Sequence, residues 1–181
     1  GIVHRELKPA NVLVTQSADG APRVKLVDFG ISKLLRDPDG ADPMQTLQGT
    51  VMGTPAFMAP EQINATTIDT RTDIWAIGAL LYHLVTGALP FPTADAIIES
   101  LSIVLTSPAI PPSRHVRGIP PALEQLILHC LEKRPEDRPA SVTEVAAALA
   151  PFAGRESVSA EDRVRRILEG VPTVPPARAE V

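Results

Sequence analysis

The chain has 181 residues, of which 44% are hydrophobic and 21% charged, and its formal net charge is -4. That length suits one globular domain with a tail rather than two full domains, and an acidic balance without Lys/Arg clusters argues against nucleic-acid or anionic-membrane partners. Its one cysteine, Cys130, excludes an internal disulfide framework and fits a reducing compartment, so a cytoplasmic location is expected.

In chain order, the opening Gly1-Ile2-Val3-His4 has no initiator methionine and none of the zones of a signal peptide, and it reads as the edge of a fragment. Val12-Leu13-Val14 and Val24-Lys25-Leu26-Val27 are short β-branched runs on either side of a turn-rich Ser17 to Pro22, the pattern of a hairpin. Between Ile31 and Ala59 no period holds, and Asp37-Pro38-Asp39-Gly40 marks a long loop of the kind that is usually functional or disordered. Asp73 to Val85 is apolar on nearly every side and stops at Gly87, which predicts a helix buried all round. Ala94 to Leu105 carries Ile97, Ile98, Leu101, Val104 and Leu105 on one stripe, and Pro121 to Leu131 carries Leu123, Leu126, Ile127, Cys130 and Leu131. Cys130 is thereby expected to be inert core. Ser141-Val142-Thr143-Glu144 is a capping-box pattern opening a fourth helix through Leu149. No run approaches the ~18 apolar residues of a membrane span. The 19 prolines, about twice the usual ~5% share, mostly punctuate loops and helix starts, and residues 153–181 read as a flexible tail or linker.

If the hairpin is symmetric about Asp19-Gly20, paired residue numbers sum to 39 and Asn11 faces Asp28 at the open end. An amide oxygen and a carboxylate are hard ligands of the kind Mg²⁺ takes, although the same two residue types also simply end strands. The flanks carry more information: His4-Arg5-Glu6-Leu7-Lys8-Pro9-Ala10-Asn11 upstream and Asp28-Phe29-Gly30 downstream. His83, His115 and His129 have no ligand-like spacing and no cysteine partners, so they predict no metal site of their own.

With these flanks the sequence resembles the eukaryotic-type Ser/Thr protein kinase superfamily, whose catalytic loop and Asp-Phe-Gly motif bracket such a hairpin. Ala59-Pro60-Glu61, Asp73-Ile74-Trp75-Ala76-Ile77-Gly78 and Pro135-Glu136-Asp137-Arg138-Pro139 follow in the family's order. The resemblance covers residues 1–152 and implies an α+β, predominantly helical fold: the C-terminal lobe of a kinase with a small hairpin, the N-terminal lobe being absent. Lys8 in Leu7-Lys8-Pro9 resembles the Ser/Thr branch, and the alanine-rich helices resemble bacterial members.

The resemblance implies a role for each position. Asp28 and Asn11 would hold Mg²⁺ on ATP, and Lys8 would neutralise charge on the transferred phosphoryl group. Glu61 would form a buried ion pair with Arg138, Asp73 would accept backbone donors from the catalytic loop, His4 would pack beneath it, and Gly30 would close the Asp-Phe-Gly turn. Thr46 and Thr50 would be candidates for phosphorylation that pairs with Arg5, and Thr54 would support the base and the substrate hydroxyl. Glu6 stands where the family has its catalytic aspartate, and the Gly-rich loop and strand lysine do not occur. Two readings follow: a partial Ser/Thr kinase acting on protein hydroxyls, or a noncatalytic pseudokinase lobe that binds a partner, for instance around the Ala94 to Leu105 helix.

Overall fold

A computed structural model of the chain describes residues 2–16, 22–28 and 55–152. Gly30, Thr46, Thr50, Thr54 and the 153–181 tail lie outside them. Among the described residues, a two-stranded antiparallel sheet, β1 (Val12–Gln16) and β2 (Pro22–Leu26), is followed by five α-helices: α1 (Pro60–Ile63), α2 (Thr70–Thr86), α3 (Ile97–Thr106), α4 (Pro121–Cys130) and α5 (Val142–Leu149).

The central element is α2, and its ends follow from local chemistry. Asp69 caps it, its carboxylate accepting from the Arg71 amide at 2.7 Å, and Gly87 ends it in the left-handed region at φ +70°, its N–H on the His83 carbonyl. The helix divides two cores. Trp75, Ala79 and Tyr82 face Phe57, Phe91, Val104, Ile127 and Leu131, while Ile74 faces Leu126, Cys130 and Val145. It is not buried all round as its composition predicts: Leu84, in its last turn, is 77% exposed.

Close approach of α2 and α4 depends on Gly78. A Cβ there would lie 2.5 Å from the Cβ of Cys130 and 3.3 Å from Cγ of Leu131. Cys130 is fully buried, and burial pushes its thiol up to about 12. Gly78→Ala should therefore destabilise the fold by about 1–3 kcal/mol from overpacking, net of a gain of at most ~1 kcal/mol in helix propensity. Adding Cys130→Ala should give no relief, because the obstructing atom is the Cβ that alanine retains. Urea melts of the single and double variants check this, and full recovery in the double variant would show that the sulfur was the obstacle.

Helix α3 departs from its predicted stripe. The Ser100 hydroxyl accepts from the Ala94 amide and donates to its carbonyl, which folds residues 94–96 back and delays the helix to Ile97. Ser100 and Val104 turn inward, and Ile98, about 120° round the helix from Val104, is 66% exposed. At α5 the cap is as the sequence predicts on one side, with Ser141 Oγ accepting from the Glu144 amide at 3.2 Å. The Glu144 carboxylate reaches Ala140 N rather than the cap residue's own N–H.

The hairpin register corrects the sequence reading. Val12 pairs with Leu26, Leu13 with Lys25 and Val14 with Val24, so partners sum to 38. Five residues separate the strands, an odd number that a two-residue turn centred on Asp19-Gly20 cannot supply. Asn11 consequently faces Val27, whose amide donates to the Asn11 carbonyl at 3.0 Å, and Asp28 lies one residue beyond. The slip also places Val12, Val14, Val24 and Leu26 on one face, largely open to solvent.

Candidate functional site

The segment His4 to Asn11 lies as a strap across the start of α2. Asp73, in the first turn of that helix, accepts from both of the strap's leading amides: His4 N to Oδ2 at 2.8 Å and Arg5 N to Oδ1 at 3.0 Å. His4, the first residue of the strap, is buried, and its Nδ1 faces the Glu6 amide at 3.4 Å. Arg5 is held in the left-handed region at φ +67°. For a non-glycine residue such a conformation costs about 1–2 kcal/mol, and it persists where the surroundings over-determine it.

Beyond Arg5 the polar side chains converge. Glu6 Oε1 takes a hydrogen bond from Lys8 Nζ at 3.0 Å, both side chains being mostly buried. Asn11 sits at the end of the short 3-10 turn Pro9–Asn11 and is itself buried; its Nδ2 donates to the Glu6 carbonyl at 2.8 Å. Committing the amide nitrogen in this way leaves Oδ1 as the atom available to a ligand. Asp28 lies just past β2 at φ +55°, exposed and without a hydrogen bond or ion pair among the described residues. Two of the three non-glycine residues with positive φ among the described residues thus bracket this site. The oxygens of Asn11 and Asp28 suit a hard cation such as Mg²⁺. No cluster of three or more His, Cys, Asp or Glu that could hold a metal occurs among the described residues.

A hollow of about 350 Å³ opens beside Lys8, lined by Pro9, Ala10, Phe57, His83 and Leu89 as well. His83, in α2, meets Phe57 edge-on and has Nδ1 within 3.1 Å of the Ala88 carbonyl. His115, elsewhere, meets Tyr82 edge-on.

Behind the strap, α1 carries Glu61 and Gln62. The Arg138 guanidinium forks onto Glu61, NH1 to Oε1 and NH2 to Oε2, each at 2.8 Å, and both side chains are almost wholly buried. The remaining guanidinium donors reach the carbonyls of Arg71, Glu132 and Lys133, so all five N–H groups are used. Thr72 Oγ1 adds a third donor to the carboxylate at 2.8 Å. Burial alone would raise the Glu61 carboxyl, but the Arg138 hydrogen bonds lead the opposing contributions and hold it below its ordinary value. Gln62, which sequence patterning does not single out, donates from Nε2 to the Arg5 carbonyl at 2.7 Å. No described helix is long and apolar enough to cross a membrane.

Residues 1–149 match the protein kinase domain family. Among curated proteins, the chain is 39% identical over 174 residues to serine/threonine-protein kinase pkn3 of Myxococcus xanthus, a match covering 95% of this chain and 30% of the relative. It is 40% identical over 180 residues to Pkn1 of the same organism, covering 97% of this chain and 25% of the relative. Serine/threonine-protein kinase PknB of Mycolicibacterium smegmatis is 35% identical over 149 residues, covering 82% of this chain and 23% of the relative. The chain thus spans less than a third of the length of these relatives.

Proposed function

The chain belongs to the protein kinase domain family, and on that premise we propose that it supplies the catalytic-loop part of a Ser/Thr protein kinase that moves the γ-phosphoryl group of ATP to protein hydroxyls. The observation that carries this reading is the convergence of Glu6, Lys8 and Asn11, with Lys8 Nζ on the Glu6 carboxylate and Asn11 Nδ2 on the Glu6 carbonyl. In this reading Glu6 accepts a hydrogen bond from the acceptor hydroxyl, orients it and takes its proton late in the transfer. Lys8 sets a positive charge against the moving phosphoryl oxygens. Asn11 Oδ1 and Asp28 would hold Mg²⁺, which when bound offsets the charge of the ATP phosphates. The hollow beside Lys8 would take acceptor side chains; among the described residues its lining has no carboxylate, so neutral or apolar neighbours of the acceptor residue suit it better than arginines. Arg5 would pair with a phosphate on Thr46 or Thr50, and Thr54 would steady the acceptor.

Glu6 itself supports a second reading. Its extra methylene relative to aspartate displaces the carboxylate, as expected of a pseudokinase module that retains the site without using it. Incubation with MgATP and a generic basic acceptor protein separates the two. Formation of phosphoserine or phosphothreonine that is prevented when EDTA is present from the start is the expected result; no transfer at any magnesium concentration favours the binding module.

A further inference from the structure

Arg5 is the strained link of the strap, and the two peptide planes on either side of it set both its dihedral angles. The plane before it is fixed through the Arg5 N–H on Asp73. The plane after it carries the Arg5 carbonyl at one end and the Glu6 N–H at the other. Of these, the carbonyl takes the short hydrogen bond, 2.7 Å from Gln62 Nε2, while Glu6 N has only the 3.4 Å approach to His4 Nδ1. Glu6 leaves the backbone from this second plane.

We infer that Gln62 is a positioning residue: by holding the Arg5 carbonyl it fixes the direction in which the Glu6 carboxylate is presented, a role that rests on the reading of Glu6 proposed above. A simpler account would make Gln62 only the cap of α1, since its Oε1 accepts from the Ala59 amide at 3.0 Å. A cap at that position is served equally by glutamine and glutamate, because it needs only an acceptor oxygen. The Arg5 carbonyl needs a donor, and at this position an amide supplies one where a carboxylate does not. One side chain therefore ties α1 to the strap across 57 residues of sequence. In this arrangement a shift of α1 reaches Glu6 through a single amide, without any contact between Gln62 and the reacting groups.

Gln62→Glu separates the two accounts, because it keeps the acceptor for Ala59 and turns the donor into an anion facing a carbonyl. Amide hydrogen exchange is the readout that does not depend on phosphotransfer. With the melting temperature near that of the unmodified chain, exchange at Arg5 and Glu6 should rise about tenfold or more in Gln62→Glu, as a local opening. Where phosphotransfer is measurable, kcat should fall about tenfold or more with KM for ATP unchanged, as a misplaced group requires. Unchanged exchange at Arg5 and Glu6 in Gln62→Glu would overturn the inference, and so would faster exchange with kcat intact. Should Gln62→Glu fail to fold, Gln62→Met removes both contacts, and the comparison is then between Ala59, whose amide marks the cap, and Arg5 and Glu6: faster exchange at Arg5 and Glu6 is expected, and faster exchange confined to Ala59 would overturn the inference. Absence of transfer in the unmodified chain would count against the kinase reading, whereas the exchange result would still decide whether Gln62 holds the strap.

Discussion

Replacing Arg138 with methionine should destabilise the fold by about 3–5 kcal/mol, because it leaves the Glu61 carboxylate buried without its partner. For a chain of this size that is a drop of roughly 6–20 °C in melting temperature. The magnitude follows from the geometry: the guanidinium is fully enclosed, bidentate on Glu61, and also closes the carbonyls of Arg71, Glu132 and Lys133. Removing both charges with Arg138→Met/Glu61→Leu should restore the part of the loss that comes from the stranded carboxylate, while the carbonyls of Arg71, Glu132 and Lys133 and the Thr72 hydroxyl stay without these partners. The pH dependence gives a second check. Glu61 is held below its ordinary carboxylate value in the folded state, so its contribution is complete above the unfolded value and is lost as pH falls through the folded one. In the Arg138→Met variant the same carboxyl is buried and unpaired, and acidification relieves it. The stability difference between the two proteins should therefore be largest near neutrality and shrink below the ordinary glutamate range. A difference that stays constant with pH would mean that the lost stability comes from the carbonyl contacts and not from the ion pair.

The second large effect belongs to the phosphotransfer reading. Glu6→Asp should raise transfer by up to ~10²-fold, the size of the penalty for a reacting group misplaced by ~1 Å, and Asp28→Asn should abolish it. Glu6 is engaged with Lys8 at 3.0 Å, so shortening it also frees the ammonium to move toward the phosphoryl group. Asp28 is exposed and makes no hydrogen bond or ion pair among the described residues, so its replacement should leave the melting temperature unchanged. Initial rates of all three proteins, with thermal melts alongside, test both statements. An Asp28→Asn chain that transfers phosphate as well as its parent would remove Asp28 from the site, and a Glu6→Asp chain no faster than its parent would show that carboxylate reach does not limit the reaction.

What could be read from the sequence, and what could not, divides along physical lines. Helix α2 was legible from Asp73 to Val85 because a long apolar run that stops at Gly87 leaves little alternative, whereas its opening at Thr70 behind the Asp69 cap lies outside the apolar run that marked it. The Glu61–Arg138 and Asp73–strap contacts were legible through motif resemblance, since a lone glutamate and a lone arginine 77 residues apart carry no local pattern linking them. The hairpin register was misread because it depends on the parity of the connection, and turn-forming residues from Ser17 to Pro22 do not specify which of them the turn uses. Arginine has no preference for positive φ, so the strain at Arg5 could not be foreseen; tertiary hydrogen bonds impose it. Gln62 lies in a helix of four residues, too short for any period to mark its face. The exposure of Leu84 and Ile98 has the same origin as most failures of apolar patterning: a stripe shows which residues prefer burial, while neighbouring elements decide how much cover exists.

Trp75 is the chain's single tryptophan, fully buried, stacked on Phe91 with centroids 5.6 Å apart and an interplanar angle of 3°. The Arg138 guanidinium lies 5.1 Å from its ring centroid, and Lys133 Nζ lies 5.1 Å from the same ring and 4.0 Å from that of Phe91. The molecule therefore contains its own optical reporter at the joint between α1, α2 and the Arg138 turn. Excited at the red edge, where tyrosine does not absorb, its emission comes from one indole whose excited state feels two nearby cations. A change in emission wavelength on removing Arg138, seen well below the melting temperature, would report a local electrostatic change in the native state, while the cooperative red shift on heating would report the loss of the core around it.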